Sequence, residues 1–262
     1  MSQPEKSTAH KAALVTGAGK RLGAAMALGL GELGYDVAVH YNSSADDAEA
    51  IAAKIRDMGR RASAVQANLS REAETETLVG EAIDAVGPLS VLVNSASTFE
   101  NDDVETMTRA SWDLHMEANL RAPTKLAQDF AAHARAVAPG SDRMILNMID
   151  QRVRKLTPQF LSYTASKYAL YGLTVTLAQA LAPIGVRVNG IGPGPTMRNK
   201  RQSEEDWRKQ NEATILGRGA TPDDIVAALA YLLSTTAVTG QMIAVDGGQH
   251  LSWETADVLV NE

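Results

Sequence analysis

The chain contains no cysteine, which excludes disulfide bonds, thiolate metal sites and cysteine nucleophiles. It lacks any uninterrupted apolar run near the roughly 20 residues of a membrane-spanning helix, and its polar first residues have no apolar core typical of a secretory signal. The five histidines are scattered without metal-ligand spacing. A net charge of −6 is atypical of nucleic-acid-binding proteins, which usually carry a basic face. We therefore expect a cytoplasmic protein with no metal, membrane or nucleic-acid partner.

Short apolar segments alternate with longer amphipathic segments from residue 11 to residue 251. Continuously apolar strands are typical of a parallel sheet that helices cover on both faces. Since no break in composition divides the chain, the sequence predicts one doubly wound α/β domain at 11–251 with a mainly parallel seven-stranded sheet, between tails at 1–10 and 252–262. The predicted strands are 12–15, 37–41, 62–67, 89–93, 143–148, 186–191 and 242–245, and the predicted helices are 22–33, 45–58, 72–86, 111–133, 163–182 and 222–234.

A glycine-rich turn, Thr16-Gly17-Ala18-Gly19-Lys20-Arg21-Leu22-Gly23, connects the first predicted strand to the first predicted helix. Glycine lets the backbone approach a pyrophosphate, and the helix N-terminus offers free N–H groups and a positive dipole end. In this position the motif favours a dinucleotide-binding turn, although an ordinary strand-to-helix turn also uses glycine for its geometry. The candidate contacts are Gly17, Lys20, Arg21, Leu22 and Gly23.

The end of the second strand indicates which dinucleotide binds. An NAD site usually has Asp or Glu there for the ribose 2′-hydroxyl, whereas this strand ends in His40-Tyr41-Asn42-Ser43-Ser44. Lys20 and Arg21 lie in the adjacent turn, and two cations with small hydroxyl groups suit a 2′-phosphate. The sequence therefore predicts NADP(H); the alternative is that both cations are solvated surface residues.

A tyrosine and a lysine one helical turn apart form the candidate catalytic pair. Tyr163 and Lys167 open a long apolar-periodic segment, and residues four apart lie on one helical face. An ammonium group beside a phenol is expected to lower the tyrosine pKa, which suits a proton donor or acceptor. Asp150, at a predicted strand end, is expected to return beside the tyrosine. Such pairs also occur by chance on helices, and Asp150 alternatively pairs with Arg152 or Arg154 at the surface.

Several motifs occur in the same order as in the classical short-chain dehydrogenases/reductases. Besides the glycine turn and the Tyr-x-x-x-Lys pair, they are Asn94-Ser95-Ala96-Ser97 after the fourth strand, Asn119 in the next helix, and Pro193-Gly194-Pro195-Thr196 after the sixth strand. The chain resembles this family from about Lys11 to Leu251. The resemblance implies a Rossmann domain, a nicotinamide cofactor and a homotetramer.

Within this family the chain looks like the branch of pteridine reductases and dihydromonapterin reductases. Most members of the family have glycine where Arg21 stands and serine where Asp150 stands, whereas this branch has Arg and Asp. The pair His40-Tyr41 and the segment Asn94-Ser95-Ala96-Ser97-Thr98-Phe99 also match the branch.

Two departures from the branch concern the cofactor. Asn42 and Ser43 stand where the branch usually has a basic residue, and Asn68 stands where an acid commonly meets the adenine. The preference for NADP(H) over NAD(H) is therefore expected to be less strict than in the branch.

The resemblance implies hydride transfer to a pterin ring that stacks between the nicotinamide and Phe99. Tyr163 is then the proton donor, Lys167 binds the nicotinamide ribose, and Asp150 orients the phenol or accepts an N–H from the pterin. Asn119 is expected to hold a water in a proton relay, and its alternative is a helix-kink residue that bonds the backbone. Phe99 is alternatively a core aromatic.

Further contacts follow from the same resemblance. The charged segment 197–216 is expected to be a mobile substrate lid, with a solvated helix as the alternative. Besides the glycine turn, the implied cofactor contacts are His40, Tyr41, Asn42, Ser43, Ser44, Asn68, Leu69, Asn94, Ala96, Ser97, Tyr163, Lys167, Pro193, Gly194 and Thr196. The implied substrate contacts are Ser97, Phe99, Asp150, Tyr163, Gly194 and Trp207.

Three functions remain open. The first is an NADPH-dependent reductase of pterins. The second is a reductase of acyl, sugar or steroid carbonyls on the same fold, for which a hydroxyl donor rather than Asp150 is expected, since a carboxylate repels a carbonyl oxygen. The third is a nucleotide-binding regulator without turnover, which would have no need of Tyr163, Lys167 and Asn119. The sequence favours the pterin reductase.

Overall fold

Seven parallel strands form the central sheet, in the order β3-β2-β1-β4-β5-β6-β7. The computed structural model describes residues 11–137, 142–199 and 201–255; the predicted tail at 1–10 and residues 256–262 of the other tail lie outside them. The sheet confirms the predicted doubly wound α/β fold. The strands are Ala12–Val15 (β1), Asp36–Tyr41 (β2), Ala62–Gln66 (β3), Val91–Asn94 (β4), Arg143–Met148 (β5), Val186–Pro193 (β6) and Met242–Val245 (β7).

Alternate residues of each central strand enter opposite hydrophobic cores, because successive side chains of a strand point to opposite faces. Leu14 of β1 packs into the same core as Phe130, while Val15 packs into the core of Met26 on the other face. All four side chains are fully buried. Deleting a buried Leu or Phe side chain costs roughly 2–5 kcal/mol, so both faces contribute to stability.

Eight α-helices among the described residues cover the two faces, and none of them is long and apolar enough to span a membrane. They are Arg21–Glu32 (α1), Ala45–Asp57 (α2), Glu72–Val86 (α3), Arg109–Met116 (α4), Ala122–Ala136 (α5), Leu161–Leu181 (α6), Glu204–Glu212 (α7) and Pro222–Ser234 (α8). β1 lies between β2 and β4. The connection that leaves β1 therefore leads toward β2, whereas the connection that leaves β4 leads the other way, toward β5. A crevice at the carboxyl ends of such strands is the usual ligand site of a doubly wound sheet.

One helical region differs from the sequence expectation, and a second agrees with one of its two interpretations. The predicted helix 111–133 is interrupted by a π turn, Glu117–Arg121, between α4 and α5. The segment predicted as a lid or a solvated helix contains α7, which has no buried residue. The helix interpretation is therefore confirmed for part of that segment, while the lid role stays a prediction.

A buried histidine in β2 holds the turn that follows β1. His40 is 1% exposed; its Nδ1 atom lies 3.0 Å from the Gly17 amide nitrogen, and its Nε2 atom lies 3.0 Å from the Ala67 carbonyl oxygen. Because an amide only donates and a carbonyl only accepts, the ring is neutral, with its proton on Nε2. Burial lowers the pKa of His40 to about 4. The sequence predicts His40 as a cofactor contact. In the structure His40 lies behind the glycine turn and bonds its backbone.

We predict that His40 makes the protein less stable in acid. The unfolded chain binds more protons than the folded chain between pH 6.5 and about 4, so this contribution is complete above pH 6.5 and is lost as the pH falls through that window. The difference between the two pKa values of His40 corresponds to about 3 kcal/mol of unfolding free energy. Urea unfolding of the wild type and of His40→Asn at several pH values measures it. His115 and His133 are present in both proteins, so parallel pH curves would rule out the contribution of His40.

Candidate active site

Tyr163, Lys167 and Asp150 meet at the carboxyl end of β5. Tyr163 lies in the first turn of α6, and its hydroxyl donates to Asp150 Oδ2 at 2.8 Å. Asp150 follows β5, and its Oδ1 accepts the Arg152 backbone N–H at 2.8 Å. The Lys167 ammonium donates to the Met148 carbonyl at 2.7 Å. The structure therefore brings Asp150 back beside the tyrosine, as the sequence predicted, and not to the surface alternative.

Burial dominates the electrostatics of these groups. It raises the pKa of Tyr163 well above 10, and the neighbouring Asp150 carboxyl raises this pKa further. Burial also raises the pKa of Asp150 and lowers the pKa of Lys167 to about 8. The expectation that Lys167 lowers the tyrosine pKa is wrong for this arrangement, because the ammonium lies 5.8 Å from the phenol ring centroid and donates to Met148. Tyr163 therefore keeps its proton at neutral pH.

Aromatic rings pack beside the ring of Tyr163. The Phe99 ring meets the Tyr163 ring edge-on with centroids 4.7 Å apart, so the first of the two interpretations of Phe99, as a wall of the site, agrees with its position. Phe160 stacks on Phe99 at 4.3 Å and is tilted by 6°, and the Arg152 guanidinium lies 5.0 Å over the Phe160 ring. Sequence reasoning missed Phe160 and named Arg152 only as a surface partner of Asp150; an aromatic residue three positions before the tyrosine was the available signal.

Asn119 lies in the π turn and bonds the backbone. Its Oδ1 accepts the Thr98 N–H at 2.8 Å, and its Nδ2 donates to the Thr98 carbonyl at 3.0 Å and to Ser166 Oγ at 3.3 Å. This geometry agrees with the alternative role of a helix-kink residue, in which the side chain fixes the segment after β4. Asn94, at the end of β4, donates to Asn147 Oδ1 at 2.9 Å and is buried.

The glycine turn requires glycine at two positions. Gly17 has φ +65°, and a Cβ there would lie 2.9 Å from Ala96 Cα. A Cβ on Gly23 would lie 2.2 Å from the Gly17 carbonyl oxygen. The N-cap residue of α1, Lys20, makes no side-chain cap, so the first N–H groups of α1 are directed at the turn, where a phosphate binds favourably.

The two cations of the turn point in different directions. Lys20 pairs with Asp47 in the first turn of α2 at 2.8 Å, close to the end of β2. Arg21 has φ +53°, and its guanidinium donates to the carbonyls of Met197 and Arg198 at 2.8 and 3.0 Å. The predicted 2′-phosphate pair is therefore divided: Lys20 lies beside the start of α2, whereas Arg21 contacts the segment after β6.

A second arginine holds the same segment from the other side. Arg201 donates to the Phe99 carbonyl at 2.7 Å and to the Glu100 carboxylate at 2.6 Å. Sequence reasoning missed this contact, which spans about 100 residues of chain. The segment between β6 and α7 thus touches both the glycine turn and the aromatic wall.

The remaining predicted site residues differ in how far they are buried. Gly194 borders Asp246, since a Cβ on it would lie 2.5 Å from the Asp246 Cβ, and Thr196 Oγ1 donates to the Gly194 carbonyl at 3.0 Å. Leu69 is buried in a hydrophobic core, and Trp207 lies half-buried on α7. Exposed or partly exposed positions at the carboxyl ends of the strands are Tyr41, Asn42, Ser43, Ser44, Asn68, Ala96, Ser97 and Pro193.

Comparison with known proteins identifies the family. Residues 17–250 match the family model described as enoyl-(acyl carrier protein) reductase. The chain is 32% identical over 246 residues to 3-oxoacyl-(acyl-carrier-protein) reductase FabG of Staphylococcus epidermidis, which covers 92% of this chain and 100% of that protein. Another relative at 32% identity is a short-chain dehydrogenase/reductase of Armillaria gallica, with 91% of this chain and 95% of that protein covered.

Solved structures show the same fold in proteins bound to nicotinamide cofactors. FolM alternative dihydrofolate reductase 1 from Brucella canis, complexed with NADP, superposes with a TM-score of 0.89 at 45% identity, over 94% of this chain and 96% of that chain. The blue fluorescent protein from a metagenomic library, in complex with NADPH, superposes with a TM-score of 0.83 at 32% identity, over 91% of this chain and 97% of that chain. These matches show that the chain belongs to the short-chain dehydrogenase/reductase family.

Proposed function

We propose that the protein is an NADPH-dependent oxidoreductase that transfers a hydride to a dihydropterin ring. The observation that carries the proposal is the 2.8 Å hydrogen bond from the Tyr163 hydroxyl to the Asp150 carboxyl. A carboxylate at this position repels a carbonyl oxygen but accepts a hydrogen bond from a ring N–H or an amino group. Such donors are present on pterins and absent from simple ketones.

The aromatic wall supports the same substrate class. A flat heterocycle packs favourably against an aromatic side chain. Phe99 is partly exposed and lies beside Tyr163, with ring centroids 4.7 Å apart, while Phe160 covers one of its faces. The solved FolM structures, at 45% and 46% identity, carry a dihydrofolate reductase name, and dihydrofolate contains a pterin ring.

Several features support NADP(H) as the cofactor. The end of β2 has no carboxylate to bind a 2′-hydroxyl, and the exposed Lys20 lies near the start of α2, where it pairs with Asp47. The solved relatives contain NADP or NADPH. When bound, the cofactor supplies the hydride that adds to the carbon of a ring C=N bond.

The residues of the chain supply the proton and hold the ring. The proton moves from Tyr163 Oη to the ring nitrogen, so the C=N bond becomes a C–N bond with one N–H and one C–H added. The phenolate left on Tyr163 takes a new proton from water, and Lys167 binds the nicotinamide ribose. The Asp150 carboxyl orients the phenol and accepts an N–H of the substrate.

A second candidate function is reduction of a 3-oxoacyl thioester, favoured by the 32% identity to FabG. Purified protein should oxidise NADPH in the presence of dihydromonapterin or dihydrobiopterin, and not in the presence of an acetoacetyl thioester. Loss of NADPH absorbance measures all three reactions. Turnover of the thioester alone would replace the proposed function by this second candidate.

The homotetramer and the cytoplasmic location are also proposals. Exposed apolar side chains on α4 and α6 support assembly, among them Trp112 at 36% and Tyr168 at 52% exposure. Light scattering should give about four times the chain mass of 27.9 kDa, and the mass of a single chain would contradict the tetramer.

Replacing the carboxyl tests its chemical role. Asp150→Ser should reduce kcat for the pterin roughly 100-fold or more, because it removes a group that orients the proton donor. NADPH affinity, measured by fluorescence titration, should stay unchanged. Undiminished pterin turnover in this variant would show that the carboxyl takes no part in the reaction.

The divided cations predict different effects of two neighbouring substitutions. Lys20→Ala should weaken NADPH binding roughly tenfold more than NADH binding, because it removes a charge-assisted bond to the 2′-phosphate. Arg21→Ala should raise the KM of the substrate and leave the ratio of the two cofactor affinities nearly unchanged. If only Arg21→Ala lost the preference for NADPH over NADH, Arg21 rather than Lys20 would be the residue that binds the 2′-phosphate.

A further inference from the structure

The helix that carries Tyr163 and Lys167 begins without a cap of its own. Its N-cap residue, Phe160, is left-handed with φ +57° and makes no side-chain cap. The first N–H groups of any α-helix have no partner within the helix. Those of α6 must therefore find acceptors elsewhere in the fold.

Asp102 supplies these acceptors from a distant part of the chain. Its backbone carbonyl accepts the Leu161 N–H at 3.1 Å, and its Oδ1 accepts the Ser162 N–H at 3.0 Å. About 60 residues of chain separate the two segments. Asp102 is 2% exposed, and a carboxylate at a helix N-terminus is also favoured by the helix dipole. Asp102 is thus a long-range N-cap of α6.

A chain of buried hydrogen bonds extends from this cap. Asp102 Oδ2 accepts from the hydroxyls of Ser162 and Ser111. His115 Nδ1 lies 2.7 Å from Ser162 Oγ, and His115 Nε2 accepts the Glu100 N–H at 3.1 Å. Ser162 and His115 are fully buried.

Each proton in this chain has one consistent position. The Glu100 amide only donates, so His115 Nε2 carries no proton and the Nδ1–H donates to Ser162. The Ser162 proton then points to Asp102. Burial lowers the pKa of His115. Burial by itself raises the pKa of Asp102, but the bonds from Ser162 and Ser111 outweigh it, so this pKa is lowered overall. A neutral His115 and an ionised Asp102 therefore agree with these hydrogen-bond directions.

The network connects the two parts of the active site. Asp102 and Glu100 belong to the segment that carries Phe99. Ser111 and His115 belong to α4, whereas Ser162 directly precedes Tyr163 on α6. The His115 ring also meets the Tyr163 ring edge-on, with centroids 5.9 Å apart. The position of the phenol relative to the Phe99 wall therefore depends on bonds made by Asp102.

We propose that Asp102 is a positioning residue that fixes the Tyr163 hydroxyl relative to Phe99. This role rests on the proposed function, in which one substrate ring contacts both side chains. A displacement of about 1 Å at a reacting group can cost roughly 100-fold in rate. Loss of the cap changes kcat more than cofactor affinity, because the glycine turn lies between β1 and α1, and of the implied cofactor contacts only Tyr163 and Lys167 lie on α6.

The test compares three variants of the full chain. Asp102→Ala should reduce kcat roughly 100-fold and change the Kd of NADPH much less. Asp102→Asn keeps an oxygen that accepts the Ser162 N–H but places an NH2 donor where Oδ2 accepts the Ser162 and Ser111 hydroxyls, so its kcat should fall between those of the wild type and Asp102→Ala. Asp103→Ala is the matched control: Asp103 is the next residue and bonds only the local turn at Glu105 and Thr106, so its kcat should match that of the wild type.

Several outcomes would overturn the proposal. They are an unchanged kcat in Asp102→Ala, an equal loss in Asp103→Ala, and a lower melting temperature without a change in kcat. If Asp102→Ala does not fold, Ser162→Ala removes the hydroxyl that joins Asp102 to His115 and keeps the backbone cap; it should still lower kcat roughly tenfold. An unchanged kcat in Ser162→Ala would then overturn the proposal.

A substrate-independent measurement separates this proposal from the proposed function. If the wild type reduces no pterin, the proposed function fails, and crystal structures of the wild type and of Asp102→Ala decide the positioning role. The hydroxyl of Tyr163 should move away from Asp150 Oδ2, which lies 2.8 Å from it here. An unchanged distance in Asp102→Ala would overturn the role of Asp102.

Discussion

The parallel pairing of the central strands is the constraint on which the candidate site depends. Because β1, β4 and β5 run in the same direction, their carboxyl ends meet at one edge of the sheet. The chain leaves β1 into the glycine turn, β4 toward Phe99 and β5 at Asp150. Residues more than 100 positions apart therefore share one crevice, at the place where the connections of β1 and β4 diverge.

Burial in this crevice decides the protonation of the site more than proximity does. Tyr163 and Lys167 are 5% and 2% exposed, and removal from water disfavours every charged form. The phenol therefore keeps its proton while the pKa of Lys167 falls to about 8. The Tyr163 hydroxyl donates to Asp150 Oδ2 at 2.8 Å, and this bond holds the phenol in one orientation.

Two non-glycine residues with left-handed backbone flank the site, Arg21 and Phe160, with φ +53° and +57°. Such conformations cost of order 1 kcal/mol or more and persist only where neighbouring contacts hold them. Arg21 is held by two carbonyls after β6, and Phe160 by stacking between Phe99 and Arg152. Both residues connect the candidate site to segments distant in the chain. Strained backbone of this kind is usually found at functional sites.

The sequence by itself determined the strands, the glycine turn and the spacing of Tyr163 and Lys167, since these depend on short-range rules: apolar periodicity, the need for positive φ at Gly17, and the helical repeat of 3.6 residues. It also predicted the return of Asp150, because strand ends of a parallel sheet share one edge. Only the tertiary structure separated Lys20 from Arg21 and set the high pKa of Tyr163. It also revealed Phe160, Arg201 and the cap by Asp102. These features depend on side-chain rotamers and on contacts between segments up to about 100 residues apart, which no local pattern in the sequence encodes.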